Sequence, residues 1–334
     1  MGVKVYFSSD AGAPSLTGEV GTLVGLLKKC LVDGYGTKAP LGWEGMYNGD
    51  YTRAAFRAPA GTRFWLHVDD TGPSAQGARL ARFVGYEGIG GLDANGDPIE
   101  PLYRFPTVEQ RSFGCPVAKS TLLSSDAVNW LLVGDEQAFY LWVAWSSNLL
   151  YASTHYGGCF FGDVASYRAD DAYHCAIVGS YNTEGAVEYP RHSGGVVNTL
   201  LGQGSTAFSA AQTGHYLARG WDQAAPSIPF GKMGDLGVTA SWGRQPGYPY
   251  PNPADGAMLV VPVVVSSVGP ALTQRGLMPG LYQPLHQQHV PHRGEYRDTG
   301  ELGGRTLLAV STGHQNSLDA NTGRVMLDIT GPWR

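Results

Sequence analysis

Residues 138–145 read Ala-Phe-Tyr-Leu-Trp-Val-Ala-Trp, an uncharged run with the aromatic and β-branched content of a strand. On an extended chain Phe139, Leu141 and Val143 share one side while Tyr140, Trp142 and Ala144 share the other, so both faces are apolar. Such a strand has to be covered twice. One cover is the protein's own core; the other is a second layer of the chain or a neighbouring subunit.

The run is half of a hairpin. Val128–Val133 (VNWLLV) precedes it, and Gly134-Asp135-Glu136-Gln137 supplies a polar four-residue turn. A second hairpin is expected from Thr52–Arg57 and Thr62–Val68 around Ala58-Pro59-Ala60-Gly61. In its second strand Phe64, Leu66 and Val68 form the core face, opposite Arg63, Trp65 and His67. Further strands are expected at Val3–Ser8, Ala78–Tyr86, Cys159–Tyr167, Tyr173–Ser180, Thr306–Ser311 and Arg324–Ile329. Met258–Val268 is β-branched with Pro262 inside it, which demands a bulge or a sheet edge there.

One segment breaks the period of two. In Gly18–Gly34 the residues Val20, Leu23, Val24, Leu27, Cys30 and Leu31 recur at three- and four-residue steps, predicting an amphipathic helix packed on the adjacent sheet. Ser15 and Thr17 are candidate N-caps, and Gly34 suits a left-handed closing residue. The expected fold is therefore mainly β, a β-rich α+β chain of antiparallel, sandwich-like sheets with one N-terminal helix at about 18–34 and long ordered loops. The 47 glycines, 21 prolines and only 15% charged residues suit many short strands, while 43% apolar content argues against disorder.

The texture changes near residue 188. Residues 1–188 read as a β-rich domain; residues 189–334 read as a loop-rich region with a proline-rich arm (Pro246–Pro253) and C-terminal strands, and one continuous domain is equally compatible. Tyr189–Pro253 carries isolated aromatics among Gly, Ser, Thr and Pro, the pattern of an ordered loop or an extended arm.

A net charge of -5 and the lack of a basic run point away from nucleic acid. No stretch of about 18 apolar residues is present to span a bilayer, and the start lacks a signal-peptide core, so synthesis in the cytoplasm without membrane insertion is expected. Cys30, Cys115, Cys159 and Cys175 lack C-x-x-C spacing and read as buried thiols.

Short catalytic signatures (G-x-S-x-G, H-E-x-x-H, a P-loop) are missing, and no enzyme activity is expected. The one metal-like constellation is His286, His289 and His292, but Pro284 and Pro291 oppose the helix that would align them, and no metal or other cofactor is expected. Asp93-Ala94-Asn95-Gly96-Asp97 lacks the closing Glu of a calcium loop and reads as a turn. Asp69, Asp70, Asp135 and Asp163 are the candidate carboxylates of a glycan-cleaving site, yet all fall in turns, and Asp69-Asp70 is read as an Asx-type turn. Trp142, Trp145, Trp221 and Trp242 are candidates for a sugar-stacking platform, with core or interface as the plainer reading.

The most specific text is C-terminal: Met278-Pro279-Gly280-Leu281-Tyr282-Gln283-Pro284-Leu285-His286, then Gly304–Val310 (GRTLLAV), then Gly323–Arg334 (GRVMLDITGPWR). Together with the N-terminal APSLTGEVGTLVGLLKKCLVDGYGTKAPLGW and GTRFWLHVDDTG, it resembles a family of virion structural proteins of tailed bacteriophages encoded with tail and baseplate genes. The resemblance implies a tail-tip or baseplate component located in the virion. Its implied partners are other tail proteins and copies of itself in three-fold or six-fold symmetry. A peripheral receptor-binding protein is the alternative, and a glycan-cleaving tail enzyme a third reading. The family offers no catalytic residues to carry over.

Overall fold

The fold is taken from a computed structural model describing residues 2–72, 74–75, 78–120, 125–144, 156–179, 215–220, 222–223, 251–268, 272–284, 293–298, 300, 302–311 and 324–334. It is mainly β, built of antiparallel sheets with one short helical segment among the described residues. Three of these sheets are stacked as layers.

The inner sheet runs in the order Lys4–Phe7, Trp130–Gly134, Ala138–Ala144, Tyr156–Asp163, Cys175–Val178, His215–Leu217. An N-terminal outer sheet runs Cys115–Ser120, Ala78–Gly88, Trp65–Asp69, Arg53–Arg57, Glu44–Tyr47, with Ser74–Ala75 and Leu102–Phe105 also paired to Ala78–Gly88. A C-terminal outer sheet runs Ala165–Ser166, Leu272–Pro284, Arg324–Asp328, Thr306–Ser311, Glu295–Arg297, with Val260–Val268 also on Leu272–Pro284.

The doubly apolar strand sits where its alternation requires. Phe139, Leu141 and Val143 join one buried cluster with Phe56, Leu66, Val68 and Phe83 of the N-terminal sheet and with the helix. Tyr140 and Trp142 join another with Val265, Met278, Leu281, Val310 and Trp333 of the C-terminal sheet. Both covers are thus layers of the same chain. The first seam holds edge contacts from Trp43 to Phe139 and Phe161 at 5.5 and 6.0 Å between ring centroids. In the second, Tyr140 stacks on Trp142 at 5.3 Å and meets Phe160 and Trp333 at 4.8 and 5.6 Å.

The hairpins form as read, with Leu132 opposite Leu141 and Phe56 opposite Leu66. Trp65 and His67 are covered as well: Trp65 packs with Ala55, Val84 and Tyr86 on the far side of the N-terminal sheet, under Met46, Ile89 and Leu92. The Pro262 irregularity is a shift in pairing between Pro262 and Val264.

The helix differs from its expected span. An α-helix covers Thr22–Leu27 and passes directly into π-helical turns at Lys28–Asp33. Gly21, at φ 83°, is its N-cap, and neither Ser15 nor Thr17 caps it. Thr17 instead shapes the approach, its Oγ1 accepting the Glu19 N–H and its carbonyl accepting the Thr22 hydroxyl, both at 3.1 Å. Val20 consequently precedes the helix and is exposed, while Leu23, Val24, Leu26, Leu27, Cys30 and Leu31 are buried. Gly34 closes the π turn with its N–H on the Lys29 carbonyl, at φ 81° and ψ 173°, a positive φ but not the left-handed helical cap.

Two other expectations need correction. The strand expected at Cys159–Tyr167 is two: Tyr156–Asp163 stays in the inner sheet, and after buried Val164 the chain crosses so that Ala165–Ser166 pairs with Leu277 and Gly276 of the C-terminal sheet. Within the stretch expected to be loop or arm, His215–Leu217 is an inner-sheet strand, with Tyr216 opposite Ile177. Three residues carry too little periodicity to announce it. Apart from 215–220, 222–223 and 251–253, Tyr189–Pro253 lies outside the described residues. No helix among the described residues is long and apolar enough to cross a membrane.

Candidate functional site

The candidate residues are scattered over the fold, and most are occupied by the backbone around them. His286, His289 and His292 lie outside the described residues, as do Trp145, Trp221 and Trp242. Trp142 is fully buried in the second seam, so it belongs to the core and not to a sugar platform. All four cysteines are buried free thiols, and burial pushes the Cys115 thiol up to about 12.

Asp93–Asp97 is a turn held from outside. Asp93 Oδ1 accepts the N–H groups of Asn95 and Asp97 at 2.9 and 2.8 Å. Arg53 reaches across from the neighbouring strand to the Asn95 carbonyl at 3.1 Å and to Asp97 at 2.9 Å. His67 Nε2 contacts the Gly96 carbonyl at 2.8 Å. Burial draws the His67 pKa down, against the opposing pull of that carbonyl. Among the described residues no group of three potential ligands is placed to hold a metal.

The adjacent carboxylates Asp69 and Asp70 diverge. Asp69 Oδ1 accepts the Thr71 N–H at 2.9 Å, the Asx turn read from the sequence. Asp70 turns inward and is buried beside Lys119, and its Oδ2 accepts the Leu23 N–H at 2.9 Å. Nothing in the sequence pairs those two residues, because they meet only through the ordering of strands in the sheet.

The densest polar cluster lies where the three sheets meet. Asp163 Oδ2 accepts the Thr62 N–H at 2.7 Å, from the loop between two strands of the N-terminal sheet. The Asp163 carbonyl accepts from Arg334, whose other amino group donates to Asp135 Oδ2 at 3.0 Å. Asp135 Oδ1 caps its own hairpin turn through the N–H groups of Gln137 and Ala138, both at 2.8 Å. Nearby, Arg275 of the C-terminal sheet pairs with Asp171 at 2.5 and 2.6 Å and donates to the Arg219 carbonyl at 2.7 Å. Arg219 in turn pairs with Glu87 of the N-terminal sheet.

His174 stands inside this cluster with Nε2 3.4 Å from Asp163 and Nδ1 against the Asp171 carbonyl. Burial pulls its pKa down, but the Asp163 carboxylate and the Asp171 carbonyl outweigh burial and hold it above the ordinary value. Both ring nitrogens face acceptors, so the imidazolium satisfies both and the neutral ring only one. An Asp–His pair invites comparison with a catalytic dyad, yet here neither nitrogen is left to take a proton from a substrate. What the cluster does is join layers.

Exposed large apolar side chains are concentrated in one stretch of the sequence. Leu102, Tyr103, Val108 and Phe113 are each more than half exposed, on and after Leu102–Phe105. The segment is firmly anchored: Tyr103 adopts φ 34°, and its ring lies 3.6 Å from the Arg219 guanidinium, while Arg82 covers Phe113 at 4.8 Å. A scan of the sequence against protein-family models matches none, and no curated protein matches it.

Proposed function

We propose that the chain is a structural subunit of a tailed-bacteriophage virion, at the tail tip or baseplate, acting through contacts with other subunits. The observation that carries this reading is the exposed apolar segment around Leu102, Tyr103, Val108 and Phe113, held in place by Arg219 and Arg82. Exposed apolar side chains have a hydration cost in an isolated protein, and covering them by a neighbour recovers it. The carboxylates that a hydrolase would need support the same reading, since Asp69, Asp70, Asp135 and Asp163 hold turns and layers together. The resemblance of the N- and C-terminal sequence to tail proteins supports an assembly of this kind, and the symmetry of such tails favours a ring of three-fold or six-fold symmetry.

The test is sedimentation of the purified chain across concentration, together with its detection in intact tails. A Leu102→Asp, Phe113→Asp double variant is expected to stay folded and to lose self-association or incorporation. A wild-type chain that remains monomeric at high concentration and is missing from intact tails would sink the reading. Direct adsorption of the isolated chain to host cells would favour a peripheral receptor-binding role instead.

A further inference from the structure

We propose that Lys119 and Asp70 become joined by an intramolecular amide bond, formed within the folded protein with loss of one water. This stands independently of any role in a virion.

The placement begins with strand alternation. Leu66 and Val68 face the first seam, and Asp70 comes next in that series; Cys115 and Val117 face it from another strand, and Lys119 follows them. Pairing between Cys115–Ser120 and Ala78–Gly88 shifts between Ala118 and Ser120, leaving Lys119 outside the ladder. The Lys119 and Asp70 side chains are 1% and 0% exposed. Lys119 Nζ touches Asp70 Oδ1 in an ion pair and also donates to the Glu19 carbonyl. Oδ2 is separately held by the Leu23 N–H at 2.9 Å.

Two full charges in an apolar seam are costly to keep. Passing one proton from the ammonium to the carboxylate gives a neutral amine and a neutral acid, the forms that burial favours. Burial raises the Asp70 pKa even though Lys119 opposes it. The amine lone pair then attacks Asp70 Cγ, forming the C–N bond and sending the carbonyl electrons to Oδ2, where the hydrogen bond donated by the Leu23 N–H stabilises the charge. Collapse restores the carbonyl and breaks the bond from Cγ to Oδ1. The hydroxyl departs with the surplus proton of the nitrogen as water. Carboxylate plus ammonium give amide plus water, with no change of oxidation state. Holding the two groups in contact supplies the orientation that makes such a condensation feasible without an external activator.

The intact mass of the denatured full chain tests this. After allowing for removal of Met1, the expected mass is one water below that of the sequence, and a protease digest yields a branched peptide containing Asp70 and Lys119. Asp70→Ala and Lys119→Met each show the full mass of their own sequence, without the loss of water. Folded wild-type protein at the full sequence mass overturns the proposal, as does a water loss that maps to other residues.

Discussion

The two seams on either side of the inner sheet are built from alternate residues of the same strands, yet they solve the problem of polar groups differently. The first seam, against the N-terminal sheet and helix, encloses the Asp70 and Lys119 side chains. The second, against the C-terminal sheet, is bordered by a largely buried network in which Arg334, Asp135, Asp163, Asp171 and Arg275 tie layers together around an aromatic interior. The first is assembled from residues between Tyr6 and Ala218, whereas the second needs the chain to return with Val263–Trp333. The first seam encloses a polar pair, whereas the second is clasped by a network that includes His174 and so responds to pH.

Neighbouring phenylalanines on one strand allow the largest test of that difference, because Phe161 belongs to the first seam and Phe160 to the second. Replacing either by Ala is expected to cost about 3–5 kcal/mol in denaturant unfolding. Hydrogen exchange should then separate them: Phe161→Ala loosens the helix and the N-terminal sheet, and Phe160→Ala the C-terminal sheet. Identical exchange patterns would mean that the seams do not respond separately.

A smaller effect is expected from Gly280→Ala. Gly280 has φ 64°, and an added Cβ would lie 2.2 Å from Trp333 Nε1, so the indole must leave its place beside Tyr140. Backbone strain alone costs about 1–3 kcal/mol, and tryptophan fluorescence should report the displaced ring. Next comes Arg334→Ala, which removes the clasp on Asp135 and the Asp163 carbonyl at about 1.5–3 kcal/mol and should leave the first seam's exchange protection intact.

The smallest effects are in pH, and they have opposite signs. The folded pKa of His174 lies above its unfolded value of about 6.5, so its contribution is fully present below that pH and is lost as pH rises through the folded pKa. For His67 the folded pKa is depressed; its contribution is present above about 6.5 and is lost as pH falls toward the folded pKa. Melting curves of His174→Gln should therefore flatten the alkaline side of the stability profile, and those of His67→Gln the acid side. The reverse assignment would mean that the two environments have been misread.

The amphipathic hairpins and the doubly apolar strand were legible because a period of two survives any tertiary context. The helix was legible in kind, but its start was not: Val20 fits the helical spacing, yet Gly21 at positive φ comes between it and the first turn. A π turn has no period that differs usefully from an α-helix over six residues. The change of sheet at Val164 left no mark either, since an apolar residue between two short strands looks like one longer strand. The site fared worse for a plain reason. Thr62, Asp163, Arg275 and Arg334 come from distant parts of the chain, and only strand order brings them together. Asp135 and Asp163 could be read as turn residues, but not as the anchors of a C-terminal arginine.

A sheet that is apolar on both faces has lost the usual protection against slippage. In a strand with one wet face, sliding by one residue carries polar groups into the core, and the error corrects itself. Apart from displacing Asp163, sliding Tyr156–Asp163 past Ala138–Ala144 would exchange one set of large apolar groups for another. Shape also forbids it. Trp142 lies opposite Gly158, where a Cβ would come within 2.8 Å of the indole, and Ala138 lies opposite Gly162, where one would come within 2.4 Å of the Ala138 backbone. In this protein the alignment of the central strands is therefore kept by the smallest residues they contain, and a side chain introduced at Gly158 or Gly162 would threaten the identity of the fold as well as its stability.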